Sequence, residues 1–386
     1  MAGLYLHIPF CKCRCIYCDF YSTTQGAETR RHYIAALCNE MAIRKQELKG
    51  TVLGSIYLGG GTPSQLSIDE LQTLFRQIES LFPIANDVEI TLEANPDDLT
   101  ETYIQQLRRL PINRISLGVQ TFDPQQLAFL RRRHTAQQAI SAVKLCQQAG
   151  FGNISIDLIY GLPGQTLEAW SNDLQQALQL HTPHLSAYAL IYEEGTALWK
   201  LKEQHKVYEA DDELSLSMFE HLMDTTRQAG FEHYEISNFC QPGYRAVHNA
   251  SYWSGVPYMG CGPGAHSFDG TNRQWNQKDL TAYLQVNGDT TKGLADYEEL
   301  DTQTRYNDFI ITSLRTSDGL DLERLEQCFG DRYLQYALKM ARPHIKRKAL
   351  ELIAPTPAYV RGKLRLTRSG LFLSDLIMSD LLAVDE

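Results

Sequence analysis

The 386-residue chain has no uninterrupted apolar run of about 18 residues, so no helix that crosses a membrane is expected. Positive charge is in short supply. Its 36 Lys and Arg stand against 46 Asp and Glu, a net charge of −10, and a nucleic acid as main partner is not expected because phosphate binding needs a basic surface. The first ten residues, MAGLYLHIPF, lack the basic start and cleavage site of a signal peptide. A cytoplasmic protein is therefore expected, in which the nine cysteines serve as ligands or buried thiols rather than disulfides. There is no low-complexity segment and no short repeat. The composition is that of a globular protein, 43% hydrophobic and 21% charged, and the length suits two domains.

What is present begins at residue 4. Leu4, Leu6 and Ile8 alternate with Tyr5, His7 and Pro9, the two-residue period of a strand. The strand runs into a loop with Cys11, Cys15 and Cys18 spaced C-x3-C-x2-C. Zinc sites usually start from a close pair and add a second pair or two histidines, and ferredoxin runs use four cysteine ligands. Three thiolates in one short loop can instead hold three irons of a cubane [4Fe-4S] cluster. The fourth iron is then open to a ligand that is not protein, a setting for one-electron chemistry. Cys13 is read as a free thiol beside the cluster. Cys38, Cys146 and Cys328 are read as core thiols on apolar helical faces, and Cys240 and Cys261 as loop or core residues.

Strand-like and helix-like runs then alternate. Strands are expected at Leu4–Pro9, Ser55–Leu58, Val88–Leu92, Arg114–Val119, Ile154–Ile159 and His184–Ile191. Helices are expected between them and over Asp211–Gly230. Six βα units in series imply a parallel sheet with right-handed crossovers, and six strands rather than eight imply an incomplete barrel. In such folds the chemistry sits after the C-terminal ends of the strands. Polar and glycine-rich residues do cluster there: the cysteines, Gly59-Gly60-Gly61-Thr62-Pro63, Glu93 with Asn95, Gln120, Asp157 and Tyr188. The glycine run is no phosphate loop, because no Lys-Ser/Thr follows it; it lets backbone approach a ligand closely. From Phe231 the rhythm is lost. Residues 300–386 read as a smaller helical unit with one hairpin, Ala358–Leu366.

Tyr5-Leu6-His7-Ile8-Pro9-Phe10-Cys11, with Cys15, Cys18, Asp19 and Phe20, resembles the signature of the radical S-adenosylmethionine superfamily. Within it, the string is similar to one branch, the oxygen-independent coproporphyrinogen III oxidases and the related haem chaperones. The resemblance implies an α/β fold, an incomplete (β/α)6 barrel with a smaller, mostly helical, winged-helix-like C-terminal domain. It implies a core over residues 1–235, a connecting segment over 236–295 and a helical domain over 296–386. It implies that Cys11, Cys15 and Cys18 hold the cluster and that S-adenosylmethionine is bound by Gly60, Gly61 and Thr62. Arg132 would hold its carboxylate. Glu93, Gln120 and Asp157 would hold ribose and amino groups, and Tyr5 would lie beside the cofactor or substrate.

The stretch His248-Asn249-x-x-Tyr252-Trp253 resembles the HNxxYW signature of the haem chaperones. An imidazole can ligate haem iron and aromatics can pack on a porphyrin, so His248 is the expected ligand, ahead of His266. The oxidases carry a further cysteine two residues after the third ligand, where this chain has Phe20, and a longer segment before the first strand. The resemblance therefore implies a carrier that delivers haem, as cargo, to a haem-requiring acceptor such as a respiratory enzyme, membrane-bound ones included, and leaves room for a homodimer. The alternative it implies is oxidative decarboxylation of coproporphyrinogen III.

Overall fold

The computed structural model describes residues 1–285, 295–356 and 360–384. Six strands lie side by side in chain order, all parallel: β1 (Ala2–Ile8), β2 (Leu53–Gly60), β3 (Ile84–Ala94), β4 (Arg114–Gln120), β5 (Asn153–Tyr160) and β6 (His184–Ala189). All six are the strands expected from sequence, with ends moved by up to four residues. The helices between them start where local chemistry starts them. Ser67 and Glu70 form a capping box for Ile68–Leu81, and Thr135 and Gln138 form one for Ala136–Gln148. In the first of these, Leu71, Leu74, Phe75 and Ile78 share the buried face, the three-and-four spacing of an amphipathic helix.

The strands are buried on both sides, and their alternation separates two chemistries. Leu4, Leu6, Ile8, Ile56, Leu58, Ile90, Leu92, Ile115, Leu117, Ile154 and Ile156 join one hydrophobic core with the helices. The intervening positions are polar: Tyr5 and His7, Ser55 and Tyr57, Glu89 and Glu93, Arg114 and Ser116, Ser155 and Asp157, His184 and Ser186. Hydrogen bonds such as Tyr57 to Glu93 and Ser116 to Asp157 cross between strands on this second face, which makes it the inside of the incomplete barrel.

Described segments between residues 232 and 299, which include most of the expected connecting segment, extend this sheet at both edges. β7 (Glu232–Glu235) and β8 (Asn238–Cys240) add antiparallel strands beyond β6. β9 (Tyr258–Cys261) pairs parallel with β1, and β10 (His266–Phe268), β11 (Asn272–Asn276) and β12 (Ala295–Glu299) continue antiparallel outward. A buried network ties this edge to the first helix: Glu40 pairs with Arg44 at 2.7 Å and accepts from Gly262 N, Asn276 and Tyr283.

The C-terminal unit has its own core, built on Tyr306, Ile310, Leu325, Leu334, Ala337 and Ile377. Its helices surround a small antiparallel sheet, β13 (Leu320–Asp321), β14 (Leu350–Ile353) and β15 (Lys363–Leu366), in the order β13-β15-β14. The hairpin expected over Ala358–Leu366 is therefore longer, with its first strand before Pro355; residues 357–359 lie outside the described residues. Among the described residues no helix is long and apolar enough to cross a membrane.

Candidate functional site

A cavity of about 420 Å³ opens at the C-terminal ends of β1–β6. Cys11, Cys15 and Cys18 line it together with Gly60, Gly61, Thr62, Glu93, Gln120, Arg132 and Asp157. Ten residues from five separate βα units thus meet at one place. The reason is topological: in a parallel sheet every strand ends at the same rim.

The three cysteines are free and half-buried, and Cys13 is exposed. Among the described residues no three His, Cys, Asp or Glu side chains converge on a single-ion site. Three thiols in one loop with no fourth protein ligand among the described residues suit three irons of a cubane better than the four-ligand set of a structural zinc ion. Burial pushes the Cys18 thiol up to about 11 and raises Cys11, so a metal must draw off their protons. The Thr62 hydroxyl lies 3.3 Å from Cys11 Sγ, and Arg132 donates to Cys15 Sγ at 3.3 Å.

Arg132 also donates to Asn95 Oδ1 at 2.6 Å and to the Gly118 carbonyl, while its Nε is buried without a partner. A buried guanidinium with one donor unpaired beside the thiols suits an anionic ligand. Its neighbours differ: Arg133 is committed to Asp97 and Asp98, and Arg131 is exposed. Glu93 accepts from Tyr57 at 2.7 Å and from Gly60 N at 3.1 Å, and burial pushes it up to about 7. Burial also raises Asp157, which is held by the Ser116 and Ser155 hydroxyls.

The glycine run has a reason beyond ligand approach. A Cβ on Gly61 would come within 2.7 Å of the Ile8 carbonyl oxygen and the Pro9 carbonyl carbon. Gly61 thus lets the end of β2 press against the start of the cysteine loop, and its N–H donates to the Ile8 carbonyl at 2.9 Å.

Two expected site residues stand outside the lining of the cysteine cavity. Tyr5 faces a second, larger cavity and bonds His7 Nδ1 at 3.1 Å. His248 lines neither cavity. It sits 1% exposed on the inner face of the barrel, on the short helix Val247–Trp253. Its Nδ1 meets Ser55 Oγ at 2.8 Å, its Nε2 meets the Tyr252 hydroxyl at 2.8 Å, and its ring stacks on Tyr57. Both nitrogens are engaged, and the ring is presented to neither cavity. Burial, aided by Arg114, pushes it down to about 3 and keeps it neutral. Of the other thiols, Cys146, Cys240 and Cys261 are buried and Cys38 half-buried, but Cys328 is exposed rather than in the core. Tyr57, Ser116 and Ser155, which hold the expected ligands, belong to no binding motif in the sequence. Their signal was the polar half of the strand alternation.

The larger cavity, about 920 Å³, lies between the β1–β11 side of the sheet and the C-terminal unit. Asp19 and Phe20 line both cavities, so the residues after Cys18 form the wall between them.

Residues 5–177 match the Radical SAM superfamily and residues 300–373 match the HemN C-terminal domain. The chain is 35% identical over 326 residues to the heme chaperone HemW of Mycobacterium tuberculosis strain H37Rv, covering 84% of each. The chain belongs to the HemW family of radical SAM proteins. The heme chaperone HemW of Bacillus subtilis strain 168 is 33% identical over 331 residues, covering 86% of this chain and 87% of that one. The radical SAM coproporphyrinogen III oxidase HemN of Escherichia coli has the same fold, with a TM-score of 0.83 and 24% identity over 99% of this chain and 90% of that one. The incomplete barrel with a helical C-terminal region is thus the expected fold, and radical SAM membership implies a [4Fe-4S] cluster and S-adenosylmethionine as its cofactors.

Proposed function

We propose that this chain binds haem and delivers it to a haem-requiring acceptor. The observation that carries the reading is the 35% identity, over 84% of both chains, to a protein described as a heme chaperone. In this reading Cys11, Cys15 and Cys18 hold three irons of the cluster. Gly60, Gly61, Thr62, Glu93, Gln120, Arg132 and Asp157 would hold S-adenosylmethionine beside the cluster. When bound, the reduced cluster supplies an electron to S-adenosylmethionine. The chain's own part is to position: Arg132 meets the carboxylate, and Asp157, aligned by Ser116 and Ser155, accepts from ribose hydroxyls. Glu93, whose pKa burial raises, accepts from the Gly60 N–H and fixes the backbone that faces the amino group.

Phe20 and Asp19, shared by the two cavities, offer a route by which the state of the cluster affects the neighbouring cavity. The acceptor is a cytoplasm-facing haem protein, such as a respiratory enzyme, and a homodimer is compatible with the role.

The same shared wall favours a second reading, in which a porphyrinogen in the larger cavity reacts at the cluster site. The two are separated anaerobically, with reconstituted cluster, S-adenosylmethionine and a reductant. Haem is expected to give a stable complex with a shifted Soret band, and coproporphyrinogen III is expected to remain unchanged. Formation of protoporphyrinogen would sink the carrier reading in favour of the oxidase.

A further inference from the structure

The larger cavity has four properties of a seat for a flat dianionic metalloporphyrin. Its volume, about 920 Å³, falls in the range of roughly 300–1,000 Å³ typical of small-molecule sites. Its walls carry Trp253, Phe268, Phe309 and Phe329, aromatic faces suited to a macrocycle. In a chain of net charge −10 it gathers Arg273, Lys278, Arg305 and Arg324 against Asp19 and Asp308. Only Arg273 pairs with an acid, Asp308; among the described residues Lys278, Arg305 and Arg324 have no acidic partner. Two donors on lining residues, Trp253 Nε1 and Arg305 Nε, are buried and unpaired.

Two histidines line the cavity. His7 is committed, with Nε2 bonded to the Tyr21 carbonyl at 2.8 Å and Nδ1 to the Tyr5 hydroxyl at 3.1 Å. His266 is not: it is exposed, and among the described residues neither ring nitrogen has a hydrogen-bond partner. It is nevertheless positioned. It lies on β10 opposite Trp275 of β11, and its ring stacks on the Trp275 ring with centroids 6.1 Å apart. Partial desolvation of the ring, with Lys278 and Arg273 nearby, lowers its pKa and favours the neutral imidazole that ligates iron.

We propose that haem is seated in the cleft between the sheet edge and the C-terminal unit, with His266 as an axial iron ligand and Lys278, Arg305 and Arg324 at the propionates. The inference rests on the carrier reading and assigns its site. It makes the C-terminal unit one wall of the haem site, so that Arg305 and Arg324 hold the cargo only while that unit is docked. It also sets the haem beside Phe20, on the far side of the wall from the cluster.

The test titrates ferric haem into the full-length protein and into His266→Ala, Cys328→Ala and the double variant Arg305→Gln/Arg324→Gln. His266→Ala is expected to move the Soret band and weaken binding by about tenfold or more, the scale on which even outer-shell groups change metal affinity. Added imidazole should restore the spectrum. The double arginine variant should weaken haem binding but leave binding of haem dimethyl ester, which lacks the carboxylates, unchanged. Circular dichroism and thermal melts keep a folding defect apart from loss of a ligand. If the wild type binds haem stoichiometrically and His266→Ala keeps its spectrum and affinity, the site is overturned and the carrier reading survives. A spectral change in Cys328→Ala alone also overturns it, in favour of the exposed thiol that lines the same cavity. Failure of the wild type to bind haem overturns both readings.

Discussion

His248 and Ser55, 193 residues apart in the chain, share a 2.8 Å hydrogen bond inside the barrel. The bond pins the helix Val247–Trp253 against β2, and Glu89 holds the same helix by accepting from the backbone N–H of Val247 and His248. His248→Ala is therefore expected to destabilise the protein by roughly 1–3 kcal/mol, because it strands the partners of a buried polar group. Urea unfolding reads the loss. The Soret position of bound haem should stay where it is. A moved Soret band with unchanged stability would return His248 to the role of iron ligand.

Replacing Cys11, Cys15 or Cys18 with Ser, one at a time, should remove the brown chromophore of the reconstituted cluster and lower its iron content. Cys13→Ser should keep both, since Cys13 is exposed and its Sγ reaches only the Arg14 carbonyl, at 3.8 Å. Normal iron in all three ligand variants would end the cluster assignment.

Arg132→Ala should weaken S-adenosylmethionine binding by about tenfold or more, the loss of one charge-assisted hydrogen bond. Arg131→Ala should not, because Arg131 is exposed and lies outside the cavity lining. Isothermal titration of the cluster-loaded protein distinguishes them. Equal affinity in the two variants would place the carboxylate elsewhere.

Stability should fall as pH drops from about 6 to 4.5. His7 is pushed down to about 4 and His134 and His248 to about 3, and His184 lies well below its usual value, all by burial. In that window these four are neutral when folded but take up protons when unfolded, so acid favours unfolding. Glu93, raised to about 7, and Asp173, raised to about 6, act the other way, because they are protonated in the folded state first. His233 and His266 are lowered as well, and Asp97, Asp157 and Glu235 raised, so six histidines stand against five carboxylates and the expected fall toward acid is shallow. Chemical denaturation at pH 6.0, 5.2 and 4.5, on the order of one step per pH unit, measures it. A rising profile toward acid would contradict the buried neutral histidines.

The cysteine loop, all six parallel strands and the helices between them were legible in the sequence, because each is written in local terms. Two-residue alternation, helical spacing and capping pairs such as Ser67 with Glu70 act within a few residues. That the polar groups after each strand meet at one rim also followed, since parallel strands in series leave no other geometry. Other features depended on contacts between distant segments. Nothing in Tyr258-Met259-Gly260-Cys261 announces that it lies parallel to β1, more than 250 residues earlier. Only that pairing carries His266 to the rim of the larger cavity and brings the C-terminal unit over it. The same holds for His248: its motif marked it as functional, but the inner face of β2 supplied Ser55 and stacked Tyr57 against its ring. Local patterns specify elements and the end of the sheet where chemistry gathers. Which imidazole is spent on packing and which is left free is decided by the partners that folding brings together.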